Sequence, residues 1–142
     1  MNRIHIPLKL KTLFVMLALS TVAFAQSRIR ESFNKDWKFF LGDDAAAKST
    51  SFNDQSWRKL NLPHDWSIEG QFDEKNPAKP EGGGLPTGIA WYRKEFNAPA
   101  NYKQRLVTIE FDGVYKNSEV WINGQYLGKR PYGYSSFSYE IS

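Results

Sequence analysis

The sequence predicts an all-β protein built as a two-sheet sandwich. Three observations carry that reading. Short segments alternate apolar and polar residues at the two-residue period of a strand, no stretch sustains the 3.6-residue apolar stripe of a helix, and Trp, Tyr and Phe make up 15% of the 142 residues. The absence of cysteine removes disulfides, thiolate metal sites and cysteine nucleophiles, so stability has to come from packing.

The first 25 residues stand apart from this pattern. Arg3, Lys9 and Lys11 precede the apolar run from Leu13 to Leu19, and Ala23-Phe24-Ala25 follows. A basic end, a short apolar middle and small residues at a cleavage site make up a secretory signal peptide, which predicts an exported protein whose mature chain starts at Gln26. A membrane anchor needs about 20 apolar residues, and Ser20 and Thr21 interrupt this run too early. The whole chain has 19 Lys+Arg against 15 Asp+Glu, but those three cations fall in residues 1–25 with no acid, leaving a net charge of +1 from Gln26 onward. Nucleic acid and anionic membrane surfaces are therefore poor partners for residues 26–142, which read as one domain.

The elements follow in order. Trp37, Phe39 and Leu41 alternate with Lys38 and Phe40 in a first strand, which Gly42-Asp43-Asp44 turns out of the sheet. Asp44 to Lys48 is read as loop, because its alanines are not followed by an apolar stripe. Phe52, Trp57, Leu60 and Leu62 lead to Pro63, which lacks a ladder donor and ends the strand or holds it at an edge. Residues 67–90 contain Pro77, Pro80, Pro86 and Gly82-Gly83-Gly84, and form a long irregular loop of the kind that has a job or lacks order. Trp91–Phe96 and Arg105–Phe111 are then strands, the second with Val107, Ile109 and Phe111 on one face, and Glu119–Ile122 is a third. Asn123-Gly124 is the preferred pair of a two-residue type I′ turn, so Ile122 faces Gln125, Trp121 faces Tyr126 and Val120 faces Leu127. Trp121 and Tyr126 then either pack against a neighbouring sheet or stack on a sugar ring. Phe137, Tyr139 and Ile141 alternate up to the last residue, so the sandwich reads as truncated at its C-terminal side.

Few residues suggest chemistry of their own. Asp43 and Asp44 diverge in a turn, His64 beside Asp65 has no nucleophile near it in sequence, and no ligand cluster suggests a metal. Glu81-Gly82-Gly83-Gly84 lacks the strand-to-helix setting and following Lys-Ser/Thr of a phosphate loop. No cofactor is expected.

The order and spacing of several motifs carry a resemblance. Asp54-Gln55-Ser56-Trp57, Leu62-Pro63-His64-Asp65-Trp66, Gly88-Ile89-Ala90-Trp91-Tyr92-Arg93-Lys94-Glu95-Phe96, Phe111-Asp112-Gly113-Val114, Val120-Trp121-Ile122-Asn123-Gly124 and Gly133-Tyr134-Ser135-Ser136-Phe137 look like the N-terminal sugar-binding domain of glycoside hydrolase family 2. The match runs from residue 33 to residue 142 and is most similar to secreted β-galactosidases of the Bacteroides type, with a further likeness to β-glucuronidases and a looser one to β-mannosidases. The resemblance implies a jelly-roll sandwich followed, in the full enzyme, by an immunoglobulin-like domain and a (β/α)8 barrel. The barrel holds the two glutamates of a retaining mechanism, about 5 Å apart, and neither glutamate is in this chain. It also implies that a loop of this domain reaches the barrel mouth. Pro86-Thr87-Gly88 matches such a loop, although Leu85 stands where one relative has a sugar-contacting asparagine. Asp65, Trp66, Thr87 and Trp91 are the candidates for the substrate side, and strand-end packing is their alternative role. The implied partners are carbohydrate and the other domains of the enzyme. A free-standing carbohydrate-binding module is the other reading.

Overall fold

The computed structural model describes residues 28–78 and 82–142, so the expected signal peptide, with Pro80 and Glu81 of the glycine-rich tract, lies outside the described residues. Residues 33–142 form one compact unit, and residues 28–32, which belong to another, carry no regular structure. The described residues contain antiparallel strands and short 3-10 turns, with no α-helix and no helix long and apolar enough to cross a membrane.

Among the described residues, seven strands make three small antiparallel sheets. β1 (Trp37–Leu41) lies between β2 (Arg58–Leu60) and β3 (Ala90–Arg93); β4 (Thr108–Phe111) pairs with β7 (Phe137–Glu140); β5 (Ser118–Ile122) pairs with β6 (Gln125–Arg130). The central position of β1 follows from its sequence, because both of its faces carry aromatic rings. Phe39 is buried against His64 and Tyr92 on one side, while Phe40 stacks at 5.3 Å on Trp57 on the other. The expected single buried face of Trp37, Phe39 and Leu41 is therefore only half right, for Leu41 is 53% exposed.

The strand limits differ from expectation where a local turn competes with the ladder. Trp91–Phe96 shortens to Ala90–Arg93, since Arg93 already pairs with Lys38 and the left-handed Asp36 (φ 59°) bends β1 away just beyond Trp37. Arg105–Phe111 shortens to Thr108–Phe111 because the chain arrives from a 3-10 turn at Ala100–Gln104, closed by Arg105 N–H donating to Tyr102 O at 3.0 Å. Ile109 and Phe111 of this strand share the covered face with Val107 just before it, Ile109 opposite Tyr139 and Phe111 opposite Phe137 of β7. The segment read as loop at 44–48 is a 3-10 turn, Ala45–Lys48, because the Asp44 carboxylate accepts from Ala46 N at 3.0 Å and caps it; Ala47 goes into the core.

The Asn123-Gly124 hairpin forms with both central residues at positive φ (50° and 79°), Trp121 opposite Tyr126 and Ile122 opposite Gln125. The expected Val120–Leu127 pair is overturned. A bulge between Val120 and Trp121 sets Val120 opposite Gly128, so Leu127 is the extra residue. Gly128 sits at φ +151°, and a Cβ there would lie 3.0 Å from the Tyr139 ring. That approach brings β7 onto β6 and is open only to glycine. Trp91 of β3 meets Trp121 of β5 at 5.4 Å, which joins the first sheet to the hairpin. The aromatic pair Trp121–Tyr126 thus packs against a neighbouring strand. The sugar-stacking alternative has Tyr126 alone in its favour, with 55% of its surface exposed.

Candidate functional site

The first sheet is locked to the loop after β1 by a buried carboxylate. Asp54, 4% exposed, receives Lys38 Nζ at 2.5 Å and Arg93 Nε at 3.0 Å, and the Arg93 guanidinium also donates to the carbonyls of Ala47 and Ser49. Burial works to raise the Asp54 pKa, but the hydrogen bonds from Lys38 and Arg93 and their charges outweigh it, and the carboxyl lies below its ordinary value. Trp57, whose backbone N–H donates to Asp54 O at 3.1 Å, carries Phe40 stacked on its ring and Phe52 edge-on to it. The Asp54-to-Trp57 motif is thus structural.

Around the other face of β1 the chain builds a polar cluster. Arg58 of β2 grips Glu69 through both carboxylate oxygens (3.1 and 2.8 Å) and approaches His64 Nε2 at 2.8 Å; His64 Nδ1 lies 2.8 Å from Tyr92 Oη. His64 Nε2 is also 3.1 Å from Glu69 Oε1, yet one nitrogen cannot accept from a guanidinium and donate to a carboxylate. Nε2 takes only one of these two roles, and the Arg58 guanidinium neutralises the Glu69 carboxylate beside it. Arg58 and then His64 hold the Glu69 carboxyl below its usual range, while burial, followed by the Asp65 charge, raises the Tyr92 phenol to about 12. His64 and Asp65 form no acid–base pair. The Asp65 carboxylate instead accepts from Ser67 N (3.0 Å) and Ser67 Oγ (2.6 Å), starting the 3-10 turn Ser67–Glu69.

Beside this turn lies a cleft of about 490 Å3. Phe39 and Leu41 of β1 line it together with Trp66 and Pro86 and with the polar Glu69, Gln71, Asp73 and Asn76. Pro86 comes this close because residue 70 is glycine; a Cβ there would lie 2.4 Å from Pro86 Cγ. The loop expected to be irregular is pinned internally. Asp73 N donates to Gly84 O at 3.1 Å, and Asn76 Nδ2 donates to Gln71 O at 2.9 Å and Gly84 O at 2.7 Å.

Of the four candidate residues, only Trp66 lines the cleft. Asp65 is a turn cap one residue away, Thr87 is exposed beside Pro86, and Trp91 is turned to the hairpin, where its buried Nε1 finds no partner among the described residues. Sequence reading missed Phe39, Leu41, Glu69, Asp73 and Asn76. Asp73 and Asn76 had a usable signal in the Asp-x-Lys-Asn spacing of a side-chain-capped turn, whereas Glu69 had none, because its role depends on β2 lying alongside. No group of three His, Asp or Glu among the described residues is placed to hold a metal.

Among the described residues, then, the chain is an all-β domain with a cleft that Phe39 and Trp66 help to line, and Asp54 and Glu69 are held in ion pairs. No family model matches the chain. Individual relatives do. A β-galactosidase of Bacteroides ovatus, BoGH2A, is 51% identical over 125 residues, 88% of this chain and 15% of the relative, and a β-glucuronidase of Formosa agariphila is 31% identical over 122 residues, 85% and 12%. Among solved structures, a β-glycosidase from Bacteroides vulgatus superposes with a TM-score of 0.73 at 56% identity, covering 76% of this chain and 14% of that one. A glycosyl hydrolase family 2 member from Bacteroides cellulosilyticus gives 0.74 at 37%, covering 78% and 15%. The chain belongs to glycoside hydrolase family 2, as a β-sandwich domain of those enzymes. It spans only 15% and 12% of the two curated relatives named.

Proposed function

We propose that the chain is the leading, non-catalytic jelly-roll domain of an exported retaining glycosidase that releases a terminal β-linked sugar, with galactose the first candidate. The observation that supports this most is the 51% identity to a β-galactosidase over 88% of the chain, confined to 15% of that enzyme. In this reading the barrel that supplies both glutamates lies elsewhere in the protein, and this domain shapes the sugar entrance through the loop that carries Trp66, Pro86 and Thr87. A β-glucuronidase is the second reading, favoured by the Formosa agariphila relative. Export rests on the basic, apolar and small-residue pattern before Gln26.

The test is made in the longer enzyme encoded with this chain. Asp65→Ala and Thr87→Ala, made singly, are compared with the parent for kcat/KM on an aryl β-galactoside and an aryl β-glucuronide. A drop on one substrate with normal melting supports a substrate-side loop, and unchanged values on both remove these residues from the site. A reading frame that never continues into a barrel would leave a carbohydrate-binding module instead. Mass spectrometry of the exported protein should find Gln26 at its N-terminus.

A further inference from the structure

We infer that His64 is a proton-operated release for the clamp that ties β2 to the Ser67–Glu69 turn, so that the turn beside Trp66 is held at neutral pH and loosened on the acid side. The clamp is the Arg58 guanidinium, which donates to both oxygens of Glu69 at 3.1 and 2.8 Å. His64 Nε2 stands between the two partners, 2.8 Å from Arg58 and 3.1 Å from Glu69 Oε1. A guanidinium can only donate and an ionised carboxylate can only accept, so the protonation state of that one nitrogen chooses between them.

In the neutral ring Nε2 offers its lone pair to Arg58, and the ring proton sits on Nδ1, 2.8 Å from Tyr92 Oη. A proton taken from water onto Nε2 removes that lone pair. The new N–H donates to Glu69 and is repelled by Arg58, and two cations then share one carboxylate. Exposure decides which of them leaves. The His64 side chain is 11% exposed and packs edge-on against Phe39 at 4.9 Å, whereas Arg58 is 49% exposed and can carry its charge into water. Arg58 withdraws from Glu69, and the turn loses its tie to β2.

The surroundings confine the change to the ring. β2 faces it with Arg58, the turn with Glu69 and β3 with Tyr92, and next to it in the chain is Asp65, one of whose carboxylate oxygens accepts from Ser67 N and Oγ. Arg58 and then His64 hold the Glu69 carboxyl below its usual range, and burial, followed by the Asp65 charge, raises the Tyr92 phenol to about 12. Between about pH 5 and 8 Glu69 and Tyr92 therefore keep their charge states, and the imidazole is the one of the three that changes.

NMR on the chain at about pH 7.5 and about pH 5.5, on either side of the ordinary imidazole midpoint, tests the release. The sequence holds two histidines, His5 and His64, so the ring nitrogens of His64 are readily assigned. They should report a proton on Nδ1 alone at the higher pH and on both nitrogens at the lower. The backbone N–H groups of Glu69 and Gly70 close the turn on Trp66 O and Ser67 O, at 3.2 Å each. Over the same step they should lose protection from water exchange by about threefold or more, the scale on which half-exposed ion pairs act, while the β5–β6 hairpin holds steady. His64→Gln, which keeps a neutral hydrogen-bonding side chain that cannot gain a proton, should abolish the step. Arg58→Gln, a half-exposed change, should show the looser turn at both pH values. A proton on Nε2 alone at the higher pH, equal turn protection at both, a step that persists in either variant, or a loss shared by the hairpin would each overturn the release.

Discussion

Asp54 is where one atom group holds most of the first sheet, and Asp54→Ala is the perturbation that exposes it. The carboxylate is 4% exposed, with Lys38 Nζ at 2.5 Å and Arg93 Nε at 3.0 Å, and its partners are 26% and 14% exposed at their side chains. Breaking a buried pair from one side costs about 3–5 kcal/mol, because the surviving charge is left without compensation. Two features reduce that here. Lys38 is partly wet and can swing its ammonium into water, and Arg93 keeps the carbonyls of Ala47 and Ser49. The expected loss is therefore about 2–4 kcal/mol, or roughly 10–20 °C in Tm for a domain of this size. Asp54→Asn keeps the shape and one acceptor oxygen, and should lose about half as much.

Urea unfolding followed by circular dichroism measures both variants, and repeating it down the acid range adds a sign. The folded Asp54 pKa lies below the ordinary 3.8, so its contribution is fully present above that value and lost as pH falls through the folded value. The acid limb of stability below about pH 4 should flatten in Asp54→Asn. An Asp54→Ala variant within about 0.5 kcal/mol of the parent would refute the reasoning, since surface substitutions commonly fall in that range.

Other outcomes follow from the same packing. Trp57→Ala, which empties the space between Phe40 and Phe52, should cost about 3–5 kcal/mol in the same urea assay. Gly128→Ala should cost about 1–3 kcal/mol, because its Cβ meets Tyr139 at 3.0 Å in a backbone conformation that favours glycine; a neutral result in thermal melts would remove the bulge from its proposed role. In an alkaline titration followed by phenolate absorbance, a late tyrosine at about 12 should vanish in Tyr92→Phe. That raised value means Tyr92 favours the fold fully below an unfolded value of about 10 and loses this contribution as pH rises through about 12, so Tyr92→Phe should flatten the alkaline limb.

What the sequence determined by itself was local. Alternation of Val107, Ile109 and Phe111, and of Phe137, Tyr139 and Ile141, marks strands because a two-residue period sends side chains to opposite faces. Asn123-Gly124 marks a turn because its two residues tolerate positive φ. The order of its motifs also pointed to the family that its relatives bear out. Tertiary structure decided the rest. Leu127 was displaced from its expected partner by a bulge whose only trace in sequence is a glycine, and Gly128 matters because Tyr139 arrives from a strand eleven residues away. The cleft has the same origin. Phe39, Trp66, Glu69 and Asn76 are scattered along the chain, and they become neighbours because β1 pairs between β2 and β3 while Gly70 lets Pro86 close in. Periodicity reads which face a side chain takes, but which face it meets depends on contacts between segments far apart in the chain.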